Sequence, residues 1–149
     1  MLVLADIDLT DVRKLLADFD LRFELIDDGL AIPGSYWGEP EAGIIGSTIH
    51  ARGDTPVHSL LHEAGHLIVQ SPERRASIHT NATDSVAEED ACCYLQVVLA
   101  DRLGGVTRER IMRDMDEWGY TFRLGSTNAW FEHDASETRA WLIARGFLQ

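Results

Sequence analysis

Hydrophobic residues recur three and four positions apart in five segments of the chain, which predicts five helices. These segments are residues 10–19, 56–71, 85–103, 108–118 and 134–145. Shorter apolar or alternating runs predict three strands, at residues 21–26, 30–32 and 44–50. The turn signal Asp27-Asp28-Gly29 suggests that the second strand pairs back on the first. A helix, a small sheet and then mostly helices indicate the α+β class.

The second predicted helix contains His62-Glu63-Ala64-Gly65-His66, an H-E-x-x-H pattern. Residues four apart lie on one face of a helix, so His62 and His66 can direct two imidazoles at one metal ion. The Glu63 side chain points about 100° around the helix axis from that of His62. It therefore reaches a water on the ion rather than the ion itself. Zn²⁺ binds such nitrogens and acidifies a water at an open coordination position. The pattern therefore predicts a zinc site with Glu63 as general base.

The sequence around this pattern favours a helix. Thr55 is a candidate N-cap, Pro56 suits the first helical position, and Pro72 ends the run. Gly65 costs about 1 kcal/mol relative to Ala in a helix interior, which suggests that another backbone approaches it closely. The alternative is an accidental match, with His62 and His66 as ordinary polar residues at a helix edge.

A catalytic zinc site needs a third protein ligand. The candidates downstream are His79, Asp84, Glu88, Glu89 and Asp90. Glu88 shares a face with Cys92 and Leu95 that looks apolar and inward, where a metal would compensate the carboxylate. Glu89 shares a face with Gln96 that looks more exposed. Glu88 is therefore preferred, with Glu89 and His79 as alternatives, although Ser85 and Glu88 also form a capping-box pattern.

A strand, an H-E-x-x-H helix and a later glutamate-bearing helix resemble the zincin metallopeptidases of the Glu-ligand type. Glu88-Glu89-Asp90-Ala91 resembles the E-x-x-A motif of the small ImmA/IrrE-type proteins of bacteria and phages. The resemblance covers about residues 44–99, and it departs from the family pattern after Ala91, where this chain has Cys92-Cys93-Tyr94-Leu95.

The resemblance implies a zincin-like fold with Zn²⁺ held by His62, His66 and Glu88, and with Glu63 as base. It also implies an edge strand at residues 44–50 that pairs with an extended peptide, which is a physically reasonable way to bind one. The side chains on that strand that would contact a substrate are Ile45, Ser47 and Ile49.

Other residues are candidates for supporting roles. A peptidase needs a donor for the developing oxyanion, and the candidates are Tyr36, Tyr94, Tyr120 and His133. Asp84 and Asp90 are candidate partners for the ligand histidines. His58 lies one turn before His62, and a structural or solvated role is favoured for it over a place in the site.

The net charge of −12 and the isoelectric point near 4.7 argue against binding to nucleic acids or anionic membranes. The 149 residues predict a single domain over residues 1–149. The first residues do not read as a signal peptide, and no run approaches a membrane span. Adjacent Cys92 and Cys93 are expected to be reduced thiols, and a cytoplasmic location is expected.

Together these features predict a zinc-dependent metallopeptidase acting on a peptide or protein. One alternative is a catalytically silent zincin-fold binding or regulatory module. Another is a structural protein with an accidental motif. Neither the substrate nor the oligomeric state follows from the sequence.

Overall fold

The computed structural model describes residues 1–35, 38–79 and 85–149. Within these ranges the chain forms seven α-helices and one three-stranded mixed sheet, which confirms the α+β class. The strands are β1 (Arg22–Ile26), β2 (Gly43–Ile45) and β3 (Thr48–Arg52). The helices are α1 (Leu9–Ala17), α2 (Val57–Ile68), α3 (Pro72–Ala76), α4 (Val86–Leu99), α5 (Arg108–Trp118), α6 (Thr127–His133) and α7 (Ser136–Ala144).

The sheet has the order β1-β3-β2, with β3 in the centre. β1 pairs with β3 in parallel, and β2 pairs with β3 antiparallel. The predicted hairpin between 21–26 and 30–32 is therefore wrong, since residues 30–32 form no strand. The carbonyl of Leu30 instead accepts a hydrogen bond from the guanidinium of Arg52 at 2.8 Å, and Leu30 is exposed.

The strand predicted at 44–50 is divided into β2 and β3 by a tight turn at Gly46, where φ is +60°. Of these two strands only β2 lies at an edge of the sheet, whereas Ile49 lies on the central strand with its side chain fully buried. Single bridges from Ser35 and His79 reach the outer side of β2, to Gly43 and Ile45 respectively. The prediction that residues 44–50 form one open edge strand, with Ile49 available to a substrate, is therefore wrong.

Helix α2 occupies the centre of the molecule, and every apolar residue in it is buried. Its closest helical neighbour is α4. A Cβ added to Gly65 would lie 3.2 Å from the Cα and carbonyl oxygen of Cys92, so the predicted close approach of another backbone is confirmed. This contact sets the distance between the two helices that carry the candidate ligands.

The start of α2 differs from the prediction. Thr55 does not cap the helix, because its hydroxyl accepts a hydrogen bond from the amide of Arg52 at 2.9 Å, and Pro56 is the N-cap residue. Backbone hydrogen bonds with the N-terminal segment hold the start of α2 in place instead. The amide of Val57 donates to the carbonyl of Leu2 at 2.9 Å, and the amide of Leu4 donates to the carbonyl of Thr55 at 3.0 Å.

Two short helices, α3 and α6, lie in segments for which the sequence pattern predicts no helix. Both begin at a serine whose hydroxyl accepts a backbone hydrogen bond. The Ser71 hydroxyl accepts from Arg74 at 3.3 Å, and that of Ser126 from Ala129 at 3.1 Å. The two serine caps could have indicated these helices from the sequence. A helix of five to seven residues, however, is too short to show a hydrophobic periodicity. None of the described helices has the length and apolar character needed to cross a membrane.

Candidate metal centre

His62 and His66 lie on one face of α2, as the four-residue spacing requires. Their Nε2 atoms are 3.1 Å apart, and the two rings are nearly perpendicular. His66 is buried, whereas His62 keeps a side-chain exposure of 15%. The pair therefore presents two nitrogens to one point beside α2.

Glu89 on α4 supplies the third group. Its carboxylate oxygens lie 2.8 Å from Nε2 of His66 and 3.3 Å from Nε2 of His62. Among the described residues, His62, His66 and Glu89 form the cluster with ligand atoms close enough to share a metal ion. Although burial opposes ionisation, hydrogen bonds with the two histidines hold the pKa of Glu89 well below its usual value.

The sequence-based preference for Glu88 over Glu89 is thus corrected. Arg74 on α3 binds the Glu88 carboxylate at 2.9 Å, and the backbone amide of Glu88 donates to the Ser85 hydroxyl. The face shared by Glu89 and Gln96 is the one that meets the histidines, and Gln96 is completely buried. The prediction failed because helical spacing shows which residues share a face but not which face meets α2.

The distances fit a tetrahedral metal. Zinc–nitrogen and zinc–oxygen bonds of about 2.0–2.1 Å at tetrahedral angles place donors roughly 3.3 Å apart. The three separations here, 3.1, 2.8 and 3.3 Å, lie near that value. Two histidines and one carboxylate form the ligand set of catalytic zinc sites, which leave a position open for water.

Gln96 determines which nitrogen of His62 faces the cluster. Its amide Nε2 donates to the carbonyl of His58 at 2.6 Å, which fixes the orientation of the amide. Gln96 Oε1 therefore faces Nδ1 of His62, at 3.1 Å, and must accept a hydrogen bond from the N–H group there. In neutral His62 the lone pair is consequently on Nε2, the nitrogen that faces Glu89. The sequence analysis missed this residue and offered Asp84 and Asp90 instead.

His66 has a different partner on its far side. Its Nδ1 lies 3.3 Å from the sulfur of Cys92, which is fully buried. Burial raises the pKa of the Cys92 thiol well above its ordinary value, so the sulfur stays protonated. The expected reduced state of Cys92 and Cys93 agrees with the structure, in which both are free and buried. Their contact with the histidine pair was not foreseen.

Glu63 lies one residue beyond His62 and is partly buried. Burial raises the pKa of this carboxyl, and the nearby His62 and His66 partly oppose that effect. A carboxylate whose pKa is moved toward neutrality is better suited to accept and return a proton. Glu63 thus lies beside the cluster, and its role as general base stays a prediction.

Among the predicted oxyanion donors that the structure describes, Tyr120 packs beside the cluster, with its ring centroid 5.9 Å from that of His62. Tyr120 accepts a hydrogen bond from Gln96 at 3.2 Å, so its hydroxyl lies on the Nδ1 side of His62, and burial raises its pKa to about 12. Tyr94 stacks on Phe131 instead. The His133 side chain is exposed at the end of α6. Tyr36 lies outside the described residues.

Among the described residues, His79 and Asp90 are not part of the cluster of candidate ligand atoms. His79 is exposed and bridges to Ile45 of β2, and Ser47 lies in the turn before β3. Asp84 lies outside the described residues. Burial and the neighbouring Glu89 raise the pKa of Asp90, but Gln96 and Cys92 are the residues that contact the histidines from behind.

His58, for which the sequence favoured a structural or solvated role over a place in the site, belongs to the same network. Its ring packs against Trp118 and Tyr120, and burial lowers its pKa to about 4. Its carbonyl accepts the hydrogen bond from Gln96. His58 is therefore a neutral, buried residue that supports the position of His62.

Searches of protein-family models, curated proteins and solved structures gave no match to this chain.

Proposed function

We propose that this protein is a zinc-dependent metallopeptidase, with His62, His66 and Glu89 as ligands and Glu63 as general base. The observation that carries the proposal is the convergence of three potential ligand atoms from two helices. Nε2 of His62, which carries the lone pair when the ring is neutral, lies 3.3 Å from a carboxylate oxygen of Glu89 and 3.1 Å from Nε2 of His66. Two imidazole nitrogens and a carboxylate this close together suit a shared cation, and a divalent cation satisfies all three at once.

The proposed reaction divides the chemistry between the ion and Glu63. Bound zinc would polarise a carbonyl group and lower the pKa of a coordinated water. Glu63 would take a proton from the water that attacks the carbonyl carbon and give it to the amine nitrogen as the C–N bond breaks. Gln96 holds the His62 ring, and Glu89 supplies the negative charge that a dication requires.

Replacing Glu63 with Gln tests the role of the general base. The zinc-loaded protein is expected to cleave members of a random peptide library, and Glu63→Gln should retain zinc and fold but lose at least about 100-fold in rate. Zinc content is measured by elemental analysis and cleavage by mass spectrometry. Undiminished cleavage by the variant would remove Glu63 from this role.

A matched pair of substitutions tests the third ligand. Glu89→Gln removes the charge beside the histidines, whereas Glu88→Gln removes a neighbouring charge that Arg74 binds. We expect zinc affinity to fall by 100-fold or more in the first variant, on the order of 3 kcal/mol, and to change little in the second. Competition with a chromophoric chelator measures both. The reverse order would restore Glu88 as the ligand.

One observation favours a second candidate, a catalytically silent binding module. The Tyr120 hydroxyl is engaged by Gln96, Tyr94 stacks on Phe131, and the His133 side chain is exposed at the end of α6, so none of these three candidates has a contact that directs it at a substrate carbonyl. Zinc bound at one equivalent, together with no cleavage anywhere in the library, would support this candidate over the peptidase.

A further inference from the structure

Glu41 is a nearly buried carboxylate that the proposed chemistry does not use. It lies just before β2, and its neighbour Ala42 donates a backbone hydrogen bond to the hydroxyl of Ser59 at 3.0 Å. Ser59 and Glu63 are four residues apart on α2 and so share one face. The backbone at residues 41–42 therefore packs against the side of α2 that carries the general base.

Trp118 fixes the side chain of Glu41. The indole Nε1 of Trp118 donates to Oε1 of Glu41 at 2.9 Å. The ring of Trp118 lies 5.3 Å from that of His58, which is one turn before His62. The Glu41 carboxylate is thus held between α2 and the end of α5, next to the candidate metal centre. Only 9% of the residue is exposed.

The negative charge of Glu41 is not explained by this contact. A carboxylate offers about four acceptor positions, and the indole occupies one of them with a neutral donor. None of the ion pairs among the described residues includes Glu41. A glutamine oxygen would accept from Trp118 equally well without the cost of burying a charge.

The groups around Glu41 increase the free-energy cost of burying its negative charge. Burial raises the pKa of Glu41, and the negative charge of Glu63 raises it further, against the hydrogen bond from Trp118. The charge of His62 also opposes that rise. A carboxylate held in such a place, with no ion-pair partner among the described residues, is typical of a binding site rather than of a structural contact.

We propose that Glu41 binds a positively charged group of the substrate, an ammonium or a guanidinium, beside the bond that the metal centre hydrolyses. This inference rests on the proposed peptidase function and adds the substrate class to it. The cation would come from a free amino terminus or from a Lys or Arg side chain, since both present the same hydrogen-bonding chemistry to a carboxylate.

The test measures binding rather than turnover. Zinc-loaded Glu63→Gln protein is immobilised and offered three random peptide pools without other basic residues. One pool has free amino termini, one has acetylated termini, and one has acetylated termini with a single Lys or Arg. Retained peptides are identified by mass spectrometry. We expect one of the two cationic pools to be retained roughly tenfold more than the neutral pool, as for a charge-assisted hydrogen bond.

Three further substitutions, each added to that protein, identify the residue responsible. Glu41→Gln keeps an acceptor for Trp118, so it should fold, and it should abolish the preference. Trp118→Phe removes the indole donor but keeps the charge, so the preference should persist if Glu41 does more than anchor Trp118. Glu137→Gln removes an exposed charge on α7 and controls for general attraction by an acidic protein.

Each outcome is decisive. Equal retention of all pools, or a preference that survives Glu41→Gln, would overturn the role of Glu41 and leave the peptidase proposal standing. Loss of the preference in Trp118→Phe as well would assign Glu41 a structural role. Failure to retain any peptide, with zinc bound, would overturn this inference together with the proposed function.

Discussion

At the scale of single residues, the ring of His62 is held by contacts that no local sequence pattern contains. Gln96 accepts from Nδ1 of His62, while its own amide group is held by His58 and Tyr120. The amide is completely buried and all its polar atoms are paired. Such a partner fixes both the tautomer and the direction of a metal-binding imidazole.

Replacing Gln96 with Met tests this arrangement. Met has a similar volume but no acceptor for Nδ1 of His62, so zinc affinity should fall by about 10- to 100-fold. A chelator competition measures the affinity, and ¹⁵N NMR of the histidine rings reports the tautomer directly. Chemical denaturation of the zinc-free protein shows how much stability is lost. Unchanged affinity and an unchanged His62 tautomer would contradict the role given to Gln96.

At the scale of elements, the site depends on the packing of α2 against α4. One helix supplies both histidines and the other supplies Glu89, Gln96 and the Cys92 contact. The helices meet where Gly65 faces the backbone of Cys92, one residue before His66. The glycine that weakens α2 locally therefore allows the approach that brings the third ligand into range.

Gly65→Ala is expected to destabilise the protein even though Ala favours helix by about 1 kcal/mol. The added Cβ would lie 3.2 Å from the Cα and carbonyl oxygen of Cys92, and that backbone has to move. Overpacking of this kind costs typically 1–3 kcal/mol, so the net loss should be on the order of 1 kcal/mol. Urea denaturation measures it. A gain in stability of the size of the helix propensity would show that α4 moves aside freely.

At the scale of the whole molecule, a dication would bind to a chain of net charge −12. Binding to the folded state alone stabilises it by about 2.7 kcal/mol when free zinc is 100 times its dissociation constant. For a domain of this size each kcal/mol raises the unfolding temperature by about 2–4 °C. Zinc should therefore raise the Tm by roughly 5–10 °C.

Calorimetry with and without zinc checks this expectation. The double variant His62→Asn and His66→Asn is the control, because it keeps polar groups on α2 while it removes the nitrogens of the cluster. Its Tm should be insensitive to zinc. An equal rise in both proteins would place the zinc elsewhere, and no rise in the unmodified chain would argue for an accidental motif.

The sequence predicted the parts of this protein that depend on near neighbours in the chain. The four-residue spacing of His62 and His66 places both on one face of the helix. Glu63, one residue after His62, lies on a different face. Apolar periodicity placed α1, α2, α4 and α5 to within a few residues. The α+β class follows from the order of these elements, because each apolar face needs a partner to cover it.

Tertiary structure decided what depends on contacts between distant segments. Glu89 rather than Glu88 meets the histidines because α4 turns its Gln96 face toward α2, and because α3 supplies Arg74 to Glu88. β1 pairs with β3, not with residues 30–32, because strand partners are chosen in space. Neighbours along the chain fix local geometry by sterics and hydrogen bonds, whereas the rotation of one helix against another is settled only by packing of the whole core.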